Sequence, residues 1–206
     1  MKQTMVVLDM EGVLAPEIWI AIAERSGIEA LRRTTRDEPD YDVLMRGRIE
    51  LLNRHDLSLT MIQDVISGLD LLPGAREFLD DLRSLTQVMI LSDTFEQFAE
   101  PLMRKLGWPT LMCHRLLIEQ DQVIGYQLRI PDAKRAAVRA MQSLNYRVIA
   151  AGDSYNDTAM LDEADSGFLI HAPAQVKSDF PHLRSLESLE QLMVAIRSEL
   201  KADQIN

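Results

Sequence analysis

The sequence has little of several features that mark special classes of protein. It contains one cysteine, Cys113, in 206 residues, so no disulfide can form within the chain. A lone cysteine without an activating neighbour is usually a small buried hydrophobe. No apolar run approaches the roughly 20 residues that a membrane-spanning helix needs, and no segment is low in complexity. These absences favour a globular protein without disulfides and without a membrane span.

Basic residues are also in the minority. The chain has 22 Lys and Arg against 32 Asp and Glu, a formal net charge of -10, and the basic residues form no cluster. Such a chain repels nucleic acid and anionic membranes, so we expect neither as a partner. The apolar run after Met1 to Thr4 is too short for a signal peptide, and we therefore expect a cytoplasmic protein. The choice between monomer and homodimer stays open.

Apolar runs and helical periodicity predict the fold class. Three apolar runs, at residues 5–9, 88–92 and 148–152, each end in a small or polar residue, as buried parallel strands do. Helical spacing of apolar residues at 75–84, 96–106, 133–144 and 158–164 alternates with these strands. The pattern predicts an α/β protein with a doubly wound, Rossmann-like parallel sheet. Residues 116–129 suggest a β-ribbon, residues 186–200 a closing helix, and only the polar C-terminal tail is expected to be disordered.

One segment breaks this alternation. From Glu17 to about Asp70 the pattern is mostly helical, and the segment lies between Ala15-Pro16 and Leu72-Pro73-Gly74. At 206 residues the chain suits one core plus a small insertion. We therefore predict a helical cap inserted after the first strand, with residues 15–70 as the cap and residues 1–14 and 71–206 as the α/β core.

Carboxylates follow two of the predicted strands. Asp9 and Glu11 come just after the first strand, and Asp153 and Asp157 come just after the third. In open α/β sheets, ligands bind outside the carboxyl ends of the strands, and crowded carboxylates are costly unless a cation neutralises them. Magnesium prefers a few carboxylate oxygens with waters and a substrate phosphate. We predict a Mg²⁺ site of Asp9 and Asp153, with Asp157 in contact with the ion or behind it.

Zinc is disfavoured as the metal, because the histidines show no ligand-like spacing. We expect each of them to lie on the surface or in the core. They are His55, His114, His171 and His182.

The order of these residues resembles that of the haloacid dehalogenase superfamily. Asp9-Met-Glu-Gly-Val-Leu is similar to its first motif, Asp-x-Asp-Gly-Thr-Leu. Ser92, Lys134 and Gly152-Asp153-x-x-Asn156-Asp157 match the second, third and fourth motifs in order, so the resemblance spans essentially the whole chain. Each motif alone has a structural interpretation, such as capping of a helix by an Asp; the four in order favour catalysis.

The resemblance implies a role for each motif residue. Asp9 would be the nucleophile that forms an aspartyl-phosphate, and Lys134 would offset negative charge. Glu11 would act as general acid and base, and its backbone carbonyl would bind Mg²⁺. Ser92 and Asn156 would hold or position the substrate.

Within the superfamily, the sequence is most similar to the phosphoserine phosphatases. Glu17 and the segment 44–52 resemble the part of that family in which a glutamate and an arginine bind the amino-acid group. By position, Arg48 would bind the substrate carboxylate and Glu17 its ammonium. Arg46 is the second choice for the arginine.

Two departures from the family pattern affect the prediction. Glu11 stands where the superfamily has Asp, and Asp93-Thr94, in the expected substrate site, stands where phosphoserine phosphatases usually have two glycines. Bifunctional members that also transfer the phosphoryl group to homoserine share these departures. The resemblance therefore implies a Mg²⁺-dependent phosphoserine phosphatase of serine biosynthesis, with homoserine as a second acceptor and a link to threonine biosynthesis.

Two alternatives remain. One is a phosphatase of another small metabolite, such as a sugar phosphate. The other is a binding or regulatory protein on an inactive enzyme scaffold, which the presence of Asp9, Asp153 and Asp157 disfavours.

Overall fold

The computed structural model describes residues 2–34, 37–38 and 40–202. The predicted disorder of the C-terminal tail falls largely on residues 203–206, which lie outside this range. Within it the chain forms the strands β1 (Gln3–Leu8), β2 (Gln87–Phe95), β3 (Thr110–Glu119), β4 (Gln122–Gln127), β5 (Tyr146–Gly152), β6 (Ser166–Ile170) and β7 (Arg184–Leu186).

These strands form one sheet in the order β4-β3-β2-β1-β5-β6-β7. Neighbouring strands run parallel except for β3 and β4, which form an antiparallel hairpin at one edge. The predicted doubly wound α/β fold is confirmed. Because β1 lies between β2 and β5 and all three strands are parallel, their carboxyl ends lie side by side.

The helices are α1 (Ile18–Ser26), α2 (Tyr41–Arg54), α3 (Leu59–Ser67), α4 (Ala75–Leu85), α5 (Glu96–Lys105), α6 (Ala133–Ser143), α7 (Tyr155–Glu163), α8 (Ala174–Asp179) and α9 (Leu189–Ala202), with a 3-10 helix at Glu29–Arg32. None in the described part of the chain is both long and apolar enough to cross a membrane.

Side chains of β1 alternate between the two faces of the sheet. Val6 and Leu8 pack with residues of α1 to α5 and α9, whereas Met5 and Val7 pack with residues of α6, α7 and α8. This is the period of two that a strand buried on both faces requires. The sheet is therefore covered by helices on both sides, and its core is two apolar layers.

Several elements differ from their predicted extents. The predicted ribbon at 116–129 agrees with the antiparallel pairing of β3 and β4, which begins at Arg115 and Gln127. Strand β3 itself begins earlier, at Thr110, because its first half pairs with β2. Helix α7 begins at Tyr155, three residues early, since Ser154 and Asp157 form a capping box. The strands β6 and β7 and the six-residue α8 were not predicted; these short elements depend on contacts with their neighbours.

The segment after β1 is helical, as predicted. Helices α1, α2 and α3 lie between β1 and α4 in sequence, and the chain returns to its starting point, where the Leu72 N–H donates to the Leu14 carbonyl at 3.0 Å. Helix α2 packs on the hairpin, and the side chain of Asn53 donates to the Val123 carbonyl at 3.1 Å. A separate cap at residues 15–70 stays a prediction.

Candidate functional site

The loop after β1 presents Asp9 at the centre of the sheet edge. Its turn is closed by hydrogen bonds from the N–H groups of Leu14 and Ala15 to the Met10 carbonyl, both at 2.9 Å. Gly12 has a φ of +75°, and a Cβ there would lie 2.4 Å from the Cγ of Asp153. Any side chain there would strain the backbone and displace the Asp153 carboxylate. The loops after β1 and β5 therefore bring Asp9 and Asp153 together.

Lys134, at the start of α6, is a buried cation with several anionic partners. Its Nζ lies 2.7 Å from Asp157 Oδ1, 2.9 Å from Asp9 Oδ1 and 3.4 Å from Asp93 Oδ2. Burial alone lowers the pKa of a lysine, but here the charges of Asp157, Asp9 and Asp93 outweigh it and raise the pKa well above its usual value. Lys134 is therefore charged at neutral pH.

Asp157, in the first turn of α7, is fully buried and makes hydrogen bonds that support the site. Its Oδ2 accepts hydrogen bonds from the Asp153 N–H at 3.0 Å and from the Ser154 N–H and hydroxyl, both at 3.1 Å. Its Oδ1 is bound to Lys134. Because both oxygens have protein donors, Asp157 orients Lys134 and the loop that carries Asp153.

One carboxylate oxygen from each of Asp9, Asp153 and Asp157 lies within 4.8 Å of the others. Burial, followed by the charge of Asp157, raises the pKa of Asp9 well above its usual value. Burial, followed by Asp157 and Glu17, raises the pKa of Asp153 to about 7. Such crowding is relieved by a cation, and an all-oxygen donor set suits Mg²⁺. Asp9 and Asp153 are the better placed to hold it, since Asp157 is committed to other donors.

The carboxyl group of Glu11 faces the start of α1 rather than this cluster. Its Oε2 accepts a hydrogen bond from the Ile18 N–H at 2.8 Å. Burial and then the charge of Glu17 raise the pKa of Glu11 to about 8. A raised pKa favours the protonated form of Glu11, the form in which a carboxyl group can act as a general acid. Metal binding by its backbone carbonyl stays a prediction.

A cavity of about 420 Å³ lies over these residues. Arg48, on α2, lines it and is only 8% exposed. Its Nη2 donates to the Arg33 carbonyl at 2.6 Å, its guanidinium lies 4.5 Å from the centre of the Trp19 ring, and its buried Nε has no hydrogen-bond partner. Burial lowers the pKa of Arg48 to about 10.

Among the described residues, Arg48 makes no ion pair with a carboxylate. A buried charge without a counter-ion is costly, and an unsatisfied buried donor needs an explanation. A carboxylate group on a ligand would satisfy both.

The structure brings most of the predicted site residues to one cavity. Those that line it are Asp9, Glu11, Glu17, Arg48, Ser92, Asp93, Lys134, Asp153 and Asn156. Arg46 does not line it: it is exposed and pairs with Asp42 at 2.7 Å, so the structure favours Arg48, the first choice of arginine. Asn156 is exposed on the cavity wall, while the observed partners of Lys134 are carboxylates.

Several residues of the cavity wall were not predicted from the sequence. Among them are Trp19 and Tyr41. For Tyr41 a signal was present, because it lies seven residues before Arg48, and residues seven apart share one face of a helix. Trp19 lies two residues after Glu17, a spacing that indicated nothing. Thr94, which also lines the cavity and whose N–H donates to the Ser92 hydroxyl at 3.3 Å, was noted in the sequence together with Asp93.

Known proteins resemble this chain in sequence and in fold. A sequence model of the family described as haloacid dehalogenase-like hydrolase matches residues 4–165. The phosphoserine phosphatase ThrH of Pseudomonas aeruginosa is 59% identical over 186 residues, which cover 90% of this chain and 91% of that protein. A phosphoserine phosphatase of Pseudomonas syringae pv. tomato is also 59% identical over 186 residues, with coverage of 90% and 78%.

A solved structure of a substrate-bound phosphoserine phosphatase complex superposes on this chain with a TM-score of 0.78. It is 18% identical and covers 95% of this chain and 99% of its own. At that identity the likeness shows the fold alone.

Proposed function

Because this chain belongs to the haloacid dehalogenase-like hydrolases, we propose that it is a Mg²⁺-dependent phosphoserine phosphatase that also transfers the phosphoryl group to homoserine. The main observation in support of an amino-acid substrate is the buried guanidinium of Arg48. It lines the same cavity as Asp9, and its Nε has no hydrogen-bond partner. The names of the two Pseudomonas relatives support the same substrate.

Asp9 is the nucleophile in this proposal. Phosphoryl transfer requires an in-line nucleophile and neutralisation of charge on the phosphoryl oxygens. The contact between Asp9 Oδ1 and the Lys134 ammonium, at 2.9 Å, together with the Met10 N–H at 2.7 Å, fixes the orientation of the carboxylate. Attack by Asp9 on phosphorus releases serine and leaves an aspartyl-phosphate.

Glu11 supplies the proton that the leaving serine oxygen needs. Its pKa of about 8 keeps it protonated before the first step, and it becomes a base once it has given up that proton. It then takes a proton from the acceptor alcohol or water that attacks the aspartyl-phosphate, by microscopic reversibility.

Asp9 and Asp153 would hold the metal ion. When bound, Mg²⁺ would offset the charge of these carboxylates and of the phosphoryl group. Lys134 adds a second positive charge on the protein side, and Asp157 keeps its ammonium in place.

The amino-acid group of the substrate lies between Arg48 and Glu17. Arg48 binds the carboxylate and Glu17 the ammonium, each through charge-assisted hydrogen bonds. Homoserine has the same two groups, so it can occupy the place that serine leaves, with its hydroxyl toward phosphorus. Assignment to the cytoplasm stays a prediction of the sequence, and the choice between monomer and homodimer stays open.

The test is a product analysis with phosphoserine, Mg²⁺ and increasing homoserine, followed by phosphorus NMR. We expect inorganic phosphate alone without homoserine, and phosphohomoserine at millimolar homoserine. Glu11→Asp should change the ratio of the two products more than it changes the formation of the aspartyl-phosphate, because the shorter side chain places the base differently over the acceptor.

Three results would contradict parts of this proposal. Phosphoserine hydrolysis without phosphohomoserine at any homoserine concentration leaves a plain hydrolase. An unchanged product ratio in Glu11→Asp removes the proposed role of Glu11 in acceptor choice. Faster turnover of sugar phosphates than of phosphoserine in a panel of phosphorylated metabolites would replace the substrate.

A further inference from the structure

Asp93 is an unexpected group beside a phosphate site. It lines the cavity with Asp9 and Lys134, and a carboxylate there repels the phosphate that the cavity has to bind. Its side chain is 35% exposed. One oxygen lies 3.4 Å from the Lys134 ammonium and the other 3.7 Å from His114 Nε2. Asp93 therefore lies between a cation and a histidine.

His114, on β3, is 5% exposed and has a fixed arrangement of protons. The Arg129 N–H donates to its Nδ1 at 3.2 Å, so Nδ1 carries no proton. A neutral imidazole with an accepting Nδ1 has its proton on Nε2. The ring therefore presents an N–H group toward Asp93.

The Arg129 residue, whose backbone N–H fixes this ring, is itself held by hydrogen bonds of its side chain. Arg129 donates from Nε to the Cys113 carbonyl at 2.7 Å and from Nη2 to Glu96 Oε1 at 2.9 Å. His114 thus has a defined orientation before any ligand arrives.

In the structure, no N–H group of the Lys134 ammonium is free to bind a phosphate. Its three N–H groups face three carboxylates, at 2.7, 2.9 and 3.4 Å. A phosphate oxygen that binds the ammonium has to replace one of them. Asp93 makes the longest of these contacts and is the most exposed of the three side chains, so its contact is the one that breaks.

We propose that His114 is a positioning residue that holds Asp93 after phosphate displaces it from Lys134. The exchange breaks the contact between Lys134 and Asp93. It forms one hydrogen bond from Lys134 to phosphate, and it shortens the 3.7 Å separation into a hydrogen bond from His114 Nε2–H to Asp93. The inference rests on the proposed function, in that phosphate binds at Lys134.

The test is the affinity of the chain for inorganic phosphate, measured by calorimetry in Mg²⁺. His114→Gln places an amide N–H near the position of Nε2, whereas His114→Asn keeps a polar group only near Nδ1. We expect His114→Asn to weaken phosphate binding about tenfold, as the loss of one hydrogen bond to a charged group does. His114→Gln should stay within about twofold of the wild type.

Removal of Asp93 supplies the control. In an Asp93→Gly background, His114→Asn should change phosphate affinity by less than about twofold, since the carboxylate that it positions is gone. Equal effects of His114→Asn in both backgrounds would contradict the inference. Equal losses in His114→Asn and His114→Gln would also contradict it.

A measurement on the wild-type chain covers the case in which His114→Asn does not fold. The Nε2 proton of His114, assigned in the NMR spectrum by its loss in His114→Gln, should move downfield and exchange more slowly when phosphate saturates the site. An unchanged signal overturns the inference, and so does a wild type that binds no phosphate. If the chain binds inorganic phosphate but does not turn over phosphoserine, only the proposed function is contradicted, because the measurement of phosphate affinity does not require turnover.

Discussion

At the scale of single residues, Lys134 and Arg48 are both buried cations, but they differ in their partners. Lys134 contacts Asp9, Asp93 and Asp157, so its charge is more than balanced. Arg48 contacts a backbone carbonyl and the Trp19 ring. The first arrangement keeps a cation beside the proposed nucleophile, Asp9, and the second leaves a cation for the proposed ligand.

Arg48→Ala tests the second arrangement. We expect kcat/KM for phosphoserine to fall about 10- to 100-fold, because a lost charge-assisted pair costs roughly 1.5–3 kcal/mol. A phosphate ester without the amino-acid group should lose far less. Arg46→Ala is the matched control on the same helix, since Arg46 is exposed and pairs with Asp42. Similar losses on both esters would reject Arg48 as the carboxylate-binding residue.

The buried thiol of Cys113 is expected to be unreactive. Burial, followed by the charge of Glu96, raises the pKa of its thiol to about 12, so almost no thiolate is present at pH 8. We expect a disulfide reagent to react at pH 8 at least about a hundredfold more slowly with the folded chain than with the chain in urea. A folded-state rate close to that of free cysteine would show that β3 opens at this position.

At the scale of elements, the site depends on loops that only their neighbours can fix. The turn after β1 requires Gly12, whose place is limited by Asp153 from the loop after β5. The loop after β5 is in turn tied to α7 by Asp157. The loops that carry Asp9 and Asp153 are therefore each positioned by an element other than their own strand.

Gly12→Ala tests this dependence, with Gly27→Ala as its control. Both glycines have positive φ, +75° and +72°, but only at Gly12 would a Cβ meet another group within 4 Å. Each substitution should cost about 1–2 kcal/mol of stability from backbone strain. Only Gly12→Ala should also lower kcat, by about a hundredfold, through displacement of Asp153.

Thermal unfolding and steady-state kinetics of the two variants check this. If Gly27→Ala loses as much activity as Gly12→Ala, the loss reflects general destabilisation rather than a displaced carboxylate.

The sequence predicted the elements whose signal lies within one segment. The buried runs of β1 and β5 and the helices α4, α5 and α6 have clear periodicity, and the acidic blocks follow the strands directly. It did not predict β6, β7 or α8, since each has at most six residues and forms only against a neighbour. It placed Arg48 first and Arg46 second by resemblance alone, because the physical reason for the order is which side of α2 faces Trp19.

At the scale of the whole molecule, the strand order explains why distant motifs form one site. With β1 between β2 and β5, the segments that carry Asp9, Ser92 and Asp153 end at the same edge of the sheet. The segment between β1 and α4 adds Glu17, Trp19 and Arg48 to the cavity wall. Sequence reasoning predicted the shared edge from the buried strands. It missed the contact of His114 with Asp93, since β3 reaches β2 only through tertiary pairing.

The central claim is that Asp9 carries the phosphoryl group during turnover. The direct measurement is mass spectrometry of the acid-quenched enzyme after mixing with phosphoserine and Mg²⁺, together with the turnover rate of Asp9→Asn. The account predicts a phosphoryl group on the peptide that contains Asp9, and its absence in Asp9→Asn, which keeps the fold but loses at least about a thousandfold in kcat. Phosphorylation of a different residue, or Asp9→Asn with more than a few per cent of wild-type turnover, would contradict the account.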